Sequence, residues 1–494
     1  MRRSSGFFFL VFTAVMISSL VRAEEVRSLP LGLEDVSRLA VQNSLAIQIA
    51  EYDARIAKAG AKGARSLFDA YLTADVNIRE NGKARTSTVY GTDSQENNYD
   101  VGLSKKLPSG TSVDVDATNA RDWTNLPTLT HETTLGVTIE QEMGRNFFGR
   151  ADRLLVRIAD IQSEIAGFFS WRKIEAELAL VQKAYWTLVF ERARSGVEEE
   201  MVRQSEALYK AQKEKRTTGL SEDGDVLAAE ANHLARLNES ALAKENETSA
   251  QTNLSYLLNL DANAPVIIPA ETLSLDDAAW NETEILQAAF QMRQDYQALL
   301  KDVEALGLVL VKSRDAMLPT IDLKASFFRN GLGDHFKKAW DETASDTQEE
   351  FFLGLSVKVP IENTAARSEK EKAELEKAQA ILRLKQMERL IILEVHDQVR
   401  ACRVYQEVAR SAQKTADLQA EKLATEEKKF SYGRSSIDTI IRYQDDVLGS
   451  RLSAAGAVLR YRSALVDLAL TEGGLLEKYY EAGEPFSQKR GGGP

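Results

Sequence analysis

Hydrophobic positions in this chain follow two different periods, and each predicts its own kind of element. Val395, Val399, Cys402, Tyr405, Ala409, Ala412, Ala416 and Leu423 recur mostly at steps of three and four. A mean period near 3.5 predicts a coiled-coil-like seam along one helix face. After Gly433 the pattern resumes with Ile441, Leu448, Leu452, Ala455 and Leu459. A helix from about Ala366 to Lys429 would approach 100 Å at about 1.5 Å per residue, longer than a globular core needs. Pairing through turns at Gly219 and Gly433 predicts two long α-hairpins, at 145–260 and 361–475.

Elsewhere the period is two. Leu72, Ala74, Val76 and Ile78 interleave with Tyr71, Thr73, Asp75, Asn77 and Arg79. Ile321, Leu323, Ala325 and Phe327 alternate with Asp322, Lys324, Ser326 and Phe328, and Leu353, Leu355, Val357 and Val359 with Gly354, Ser356, Lys358 and Pro360. These runs predict strands with one apolar and one polar face. Four strand candidates lie at 70–79, 98–107, 110–119 and 133–142, and two more within 319–360. The polar segments Glu80–Asn98 and Arg329–Glu349 read as long surface loops.

The same layout is written twice. Leu33–Ile78 corresponds to Thr283–Phe328, Leu135-Gly136-Val137 to Leu353-Gly354-Leu355, and Val181 and Tyr185 to Val395 and Val399. Thr218-Gly219-Leu220-Ser221 corresponds to Tyr432-Gly433-Arg434-Ser435. The offset falls from about 250 to 214, so the first copy carries extra residues in its middle. The expected organisation is a first repeat over 24–270, a second over 271–481, and a disordered glycine-rich tail over 482–494.

Proline content sharpens the helical reading. The chain of 494 residues has 9 prolines, and none falls within 128–264 or 361–484. A proline inside a helix costs about 3 kcal/mol. Basic Arg2 and Arg3, apolar Phe7–Leu20 and then Val21-Arg22-Ala23 predict a secretory signal peptide over 1–23. The formal charge is −12. Cleavage removes Arg2, Arg3 and Arg22 and no acid, leaving about −15, which argues against nucleic-acid binding. The single cysteine, Cys402, excludes an intramolecular disulfide. His131, His233, His335 and His396 have no ligand spacing, and no catalytic, cofactor or metal-binding signature is found. The chain reads as a non-enzyme with no cofactor.

An exported chain without a long apolar helix is either soluble or spans a membrane as a β-barrel. Four to six strands cannot close a barrel alone, because single-chain barrels begin at about eight. If these strands span, several chains share one barrel, and three chains with four strands each would make twelve. The alternation alone leaves open whether the extra pair of strands in the first copy joins that wall or projects from it.

With these features the chain resembles the TolC-type outer-membrane efflux proteins (outer membrane factors). The cues are the signal peptide, the duplication and Leu318-Pro319-Thr320-Ile321-Asp322 opening a strand. Further cues are the strand-to-helix junctions Gln141–Arg145 and Lys358–Glu362, and the hairpin signatures Gly219-Leu220-Ser221 with Asp225-Val226-Leu227 and Gly433-Arg434-Ser435-Ser436 with Arg442-Tyr443-Gln444. The resemblance implies a mainly α fold in which coiled-coil α-hairpins form a periplasmic helical tube below a trimer-shared, antiparallel, twelve-stranded transmembrane β-barrel. It implies a homotrimer in the outer membrane of a Gram-negative bacterium, in contact with outer-membrane lipid. The partners it implies are a periplasmic adaptor (membrane fusion) protein and an inner-membrane pump or ABC transporter. The role would be a passive conduit in tripartite efflux or type I secretion. A periplasmic adaptor-like or secreted coiled-coil scaffold without channel activity is the alternative.

The resemblance also assigns candidate sites. Thr218, Gly219, Leu220, Ser221, Gly433 and Ser435 would be the adaptor-contact tips. Asp225, Asp438, Arg434 and Tyr432 would be the periplasmic gate, where an acid becomes a ring of three in a trimer. The plainer reading of the glycines is a tight turn, and of the acids a helix N-terminus. Asp438 stands five residues after its glycine whereas Asp225 stands six after its own. That single step turns a helical side chain by about 100°.

Overall fold

The computed structural model describes residues 28–82, 93–124, 129–219, 221–261, 264–345, 348–477 and 479. The expected signal peptide, the expected tail and Leu220 lie outside the described residues. In chain order, β1 (Ser28–Leu31), α1 (Leu33–Asn43) and α2 (Leu45–Gly63) precede β2 (Ala70–Asn81), β3 (Ser94–Lys106), β4 (Thr111–Thr124) and β5 (Leu129–Glu142). Next come α3 (Arg150–Thr217), α4 (Asp223–Leu257) and β6 (Val266–Pro269). The second half runs α5 (Glu282–Met292), α6 (Gln294–Asp315), β7 (Thr320–Gly333), α7 (Phe336–Ala344), β8 (Glu349–Lys358), α8 (Thr364–Ser431) and α9 (Ile437–Glu472).

The two seams fold into helices of 68 residues each, α3 and α8, about 100 Å long. Their return arms are only about half that length, at 35 residues for α4 and 36 for α9. Asn259 at φ 51 and Gly473 at φ 88 turn the chain out of these arms in the left-handed region. The remaining half of each long helix is lined by short helices: α2 and α6 pack on α3, and α5 and α6 on α8. Val181, Tyr185, Val395 and Val399, matched across the two copies, are all buried. The expected seam in α9 is only partly in phase. Leu448 of that seam is buried together with Ile440, Gln444, Val447, Val458 and Tyr461, while Ile441, Leu452, Ala455 and Leu459 are only partly covered. The reason is that α9 carries apolar residues on more than one stripe, and the contact with α8 selects one of them.

A main core gathers Val36, Ile47, Ile174, Leu178, Tyr185, Leu254, Ile267 and Leu476 where α1–α4 meet the short β1–β6 pair. β1 and β6 pair in parallel, Ser28 with Val266 through Leu31 with Pro269, tying the chain start to the crossing between copies. A second core packs Ile391, Val395, Val399 and Cys402 against Ala464 and Leu468.

All six strand candidates form one antiparallel sheet in the order β2-β3-β4-β5-β7-β8. The extra pair β3–β4 therefore stands inside the sheet, between β2 and β5. The segment expected as a loop over Arg329–Glu349 instead continues β7 to Gly333 and holds α7. Gly331 permits this packing, because a Cβ there would lie 2.1 Å from the Ala339 carbonyl oxygen. The Thr343 hydroxyl donates to the Thr133 carbonyl at 3.1 Å. One side-chain row runs Leu72, Leu103, Val115, Val137, Phe327, Phe351 across all six strands. The opposite face carries the row Tyr71, Ser104, Asp114, Thr138, Ser326, Phe352. The sheet thus has an apolar face and a mostly polar one, as period-two alternation requires.

Each sheet-to-helix junction is built on an asparagine in the left-handed region, Asn146 at φ 59 and Asn363 at φ 48, a conformation asparagine tolerates. The Asn146 side-chain oxygen accepts from the backbone N–H of Ala151 at 2.7 Å and of Asp152 at 3.1 Å, which starts α3.

Candidate functional site

The two hairpin tips share one construction at an offset of 214. Gly219 at φ 76 and Gly433 at φ 71 turn the chain after α3 and α8. Two residues on, Ser221 donates to Gln212 Oε1 at 3.0 Å and Ser435 to Glu426 Oε1 at 2.7 Å. Each serine thereby pins the turn to the helix it has just left. Gln212 and Glu426 were not singled out from the sequence. Their signal is their own spacing of 214, identical to that of the glycines and serines. Thr218 closes α3 by donating from its hydroxyl to the Lys215 carbonyl at 2.9 Å. Arg434 N–H donates to the Lys429 carbonyl at 2.9 Å, which completes the second turn.

The candidate acids sit in the first turns of the return helices, where the helix dipole favours them. Asp225 is half-buried and accepts from Ser221 Oγ at 3.4 Å. Asp438 is exposed, one position before Thr439, whose N–H donates to the capping Ser436 hydroxyl at 3.3 Å. The one-residue shift thus gives the two acids different surroundings. The side chain of Tyr432 is 80 % exposed, and Arg434 is exposed as well. Lys429, which hydrogen-bonds to Glu426 at 2.8 Å, holds that carboxyl below the ordinary glutamate range.

The tips also touch each other. The Lys215 ammonium stands 4.9 Å from the centre of the Phe430 ring, so the first hairpin is tied to the second. Arg216 pairs with Asp223 at 2.6 Å across the first turn. Both ends of that pair are largely exposed, so it is worth at most about 1 kcal/mol.

Higher on the helices, a buried ionic network joins the copies. Glu175 on α3 is fully buried, 3.5 Å from Arg172. Among the described residues its Oε1 has no hydrogen-bond partner. Burial pushes its carboxyl up to about 7, against the pull of Arg172. Arg172 donates to the Leu470 carbonyl at 2.7 Å and lies 3.9 Å from Asp295. Arg293, 2 % exposed, pairs with Asp295 at 2.7 Å and with Glu394 at 2.5 Å. The Cys402 thiol is buried at the second core, and burial pushes its pKa up to about 11, which keeps it unreactive. The four histidines have separate local neighbours: Asn119, Ser205, Asp334 and Glu282. No described helix is long and apolar enough to cross a membrane.

Two paired helical hairpins stand beneath one six-stranded antiparallel sheet whose outer strands, β2 and β8, are unpaired on their far edges among the described residues. No protein-family model matches the sequence, and no curated protein is found to be similar to it. Solved structures share the fold over nearly the whole chain. The CmeC outer membrane channel of Campylobacter jejuni is 14% identical, with a TM-score of 0.68 over 92% of this chain and 87% of that one. The outer membrane protein VceC of Vibrio cholerae is 14% identical, with a TM-score of 0.67 over 89% of this chain and 96% of that one. The open state of the MtrE outer membrane channel of Neisseria gonorrhoeae is 16% identical, with a TM-score of 0.65 over 90% of this chain and 89% of that one. This chain has the TolC-type outer membrane factor fold.

Proposed function

We propose that the protein is the outer-membrane channel of a tripartite efflux or type I secretion system, a passive homotrimeric conduit from the periplasm to the exterior. One observation carries the reading. Among the described residues a sheet with an apolar face has both edges unpaired, and it stands on two helices about 100 Å long. Exposed edges are not tolerated in lipid, so further copies of the chain close the sheet. An even number of antiparallel strands lets β8 of one copy run antiparallel to β2 of the next.

In this reading the helical hairpins line a tube that reaches through the periplasm, and the tips face a periplasmic adaptor coupled to an inner-membrane pump. Thr218, Gly219, Ser221, Gly433 and Ser435 form the contact turns. Tyr432, Arg434 and Asp438, exposed at the second tip, form the constriction with neighbouring copies. Asp225, held by Ser221, supports the first turn. Opening requires the tips to splay. The contacts that oppose this are weak, since the half-buried Lys215–Phe430 cation–π pair between the two tips is worth about 1 kcal/mol. Binding energy at an adaptor interface is large enough to offset them.

Fractionation and bilayer recording test the proposal. The mature protein should partition with the outer membrane, run as a heat-labile trimer and conduct ions. A soluble monomer without conductance would refute it. In the same recording, Asp438→Asn should alter cation selectivity, and an unchanged selectivity would remove Asp438 from the gate.

A further inference from the structure

We infer that the inserted β3–β4 hairpin is part of the membrane wall, so that the assembled trimer encloses an eighteen-stranded barrel and not one of twelve. The inference rests on the trimeric channel proposed above and goes beyond it, because it sets the width of the pore and the seam between subunits.

Three independent observations support it. First, the hydrogen-bonded ladder is continuous. β3 pairs with β2 over the whole length of β2, from Ala70–Lys105 to Asn81–Ser94. β4 pairs with β5 from Thr111–Gln141 to Trp123–Leu129. A hairpin projecting from the wall would leave β2 paired with β5. Here β2 and β5 are separated by two strands.

Second, the insert obeys the same inside–outside alternation as its neighbours. Tyr99, Val101 and Leu103 on β3 and Val113, Val115 and Ala117 on β4 lie on the apolar face. Their ladder partners there include Leu72, Ala74 and Val76 on one side and Leu135, Val137 and Ile139 on the other. Asp100, Asp114, Asp116 and Thr118 lie on the polar face. A hairpin standing in water has no need of an apolar row in register with the wall.

Third, the turn of the insert is keyed into the junction between the sheet and the long helix. The chain reverses at Leu107–Gly110, where Leu107 N–H donates to the Thr111 carbonyl at 2.8 Å and Glu142 N–H to the Gly110 carbonyl at 3.2 Å. Gly110 and Gly149 both have positive φ, and a Cβ on Gly110 would lie 2.4 Å from the Gly149 nitrogen. Arg153 donates to the Pro108 carbonyl at 2.6 Å, and Lys106 bridges Glu142 at 3.2 Å and Asp152 at 2.9 Å. The turn therefore sits at the same level as the other strand-to-helix junctions, where a wall strand must end.

The seam follows from the edges. On β2, Leu72, Val76 and Ile78 are 75%, 64% and 67% exposed in one protomer, and on β8 Phe351, Leu353 and Leu355 are 71%, 62% and 63% exposed. Val115 and Val137 in the sheet interior are 36% and 37% exposed. The partner for each edge is a second copy of this chain, β8 against β2. Three copies of six strands give eighteen. With strands about 4.8 Å apart and tilted by about 40°, the barrel is about 36 Å across between backbone centres, against about 24 Å for twelve strands.

Electron cryomicroscopy of the trimer in lipid nanodiscs tests this directly. The expected section has eighteen strands, about 1.5-fold wider than a twelve-stranded barrel. Trimers whose barrel has twelve strands, with β2 hydrogen-bonded to β5, overturn the inference and leave the channel reading intact. Particles with no shared barrel overturn both. A second measurement does not depend on imaging. In a Cys402→Ala background, nitroxide labels at Leu103→Cys and Val115→Cys should be as accessible to oxygen, and as shielded from a water-soluble nickel chelate, as labels at Leu72→Cys and Leu353→Cys. Water exposure at the first two sites with lipid exposure at the last two, in conducting trimers, refutes the inserted wall.

Discussion

Glu175 offers the sharpest quantitative test of the helical core. Its carboxyl is fully buried beside Arg172, and one oxygen has no partner. Burial raises its pKa from the ordinary value of 4.5 to about 7. In the unfolded chain it titrates near 4.5, so between these values the folded state holds a proton that the unfolded state has released. The associated stability is fully present below pH 4.5 and is lost as pH rises through about 7. A shift of about 2.5 units corresponds to about 3 kcal/mol. Glu175→Gln replaces the carboxylate by a neutral group of the same shape. The variant should match the parent near pH 5 and exceed it by up to about 3 kcal/mol per chain at pH 8. Melting of the purified protein at both pH values, at a matched scan rate, measures this as a gap of a few degrees that opens with pH. A gap of equal size at both pH values, or a variant that is the less stable one at pH 8, would refute the reasoning.

Four further outcomes are expected. Arg293→Met takes the buried guanidinium away from Asp295, which keeps only Arg172 at 3.9 Å, and from Glu394, and should cost about 3 kcal/mol. Adding Asp295→Asn should recover part of the loss in the same melting assay. Gly433→Ala meets open space and only positive-φ strain, about 1–2 kcal/mol, whereas Gly149→Ala places a Cβ 2.3 Å from the Pro108 carbonyl; only the second should sharply reduce the yield of folded protein. Ser435→Ala removes the hydrogen bond to Glu426, worth about 1 kcal/mol, and in the proposed channel should raise open probability in bilayers with little change in melting. Cys402, buried with its thiol pKa pushed up to about 11, should resist maleimide at pH 7.5 in the native protein and react fully once denaturant is added.

Much of the architecture was legible in the primary structure. Two proline-free spans and a 3.5-residue period announce the long helices, because one proline or a broken seam would interrupt them. Period-two alternation located all six strands. It assigned Leu72, Leu323 and Leu353 to one face because successive side chains point to opposite sides. The tip glycines were legible for the same local reason, since a left-handed turn favours glycine, and the 214-residue offset ties Gly219 to Gly433 and Ser221 to Ser435. The helix-start acids were legible in part. The sequence placed Asp438 out of step with Asp225, and the structure shows that one is exposed while the other is held by Ser221.

Other features depended on which segments meet. Alternation fixes the face of a strand but not its neighbours, so the place of β3–β4 inside the sheet waited on ladder pairing and on the fit of Gly110 against Gly149. Helix α9 has apolar residues on more than one stripe, and only its contact with α8 decides that Ile440 and Val447 turn inward. The parallel pairing of Ser28–Leu31 with Val266–Pro269, the return arms of half length and the Glu175–Arg172–Asp295–Arg293–Glu394 network all join residues far apart in sequence. By itself the sequence determined what is written in local periodicity and backbone preference, namely helices, strands, turns and their duplication. Tertiary structure decided partners, register and the burial of charge, because those depend on surfaces that come together only when the chain has folded.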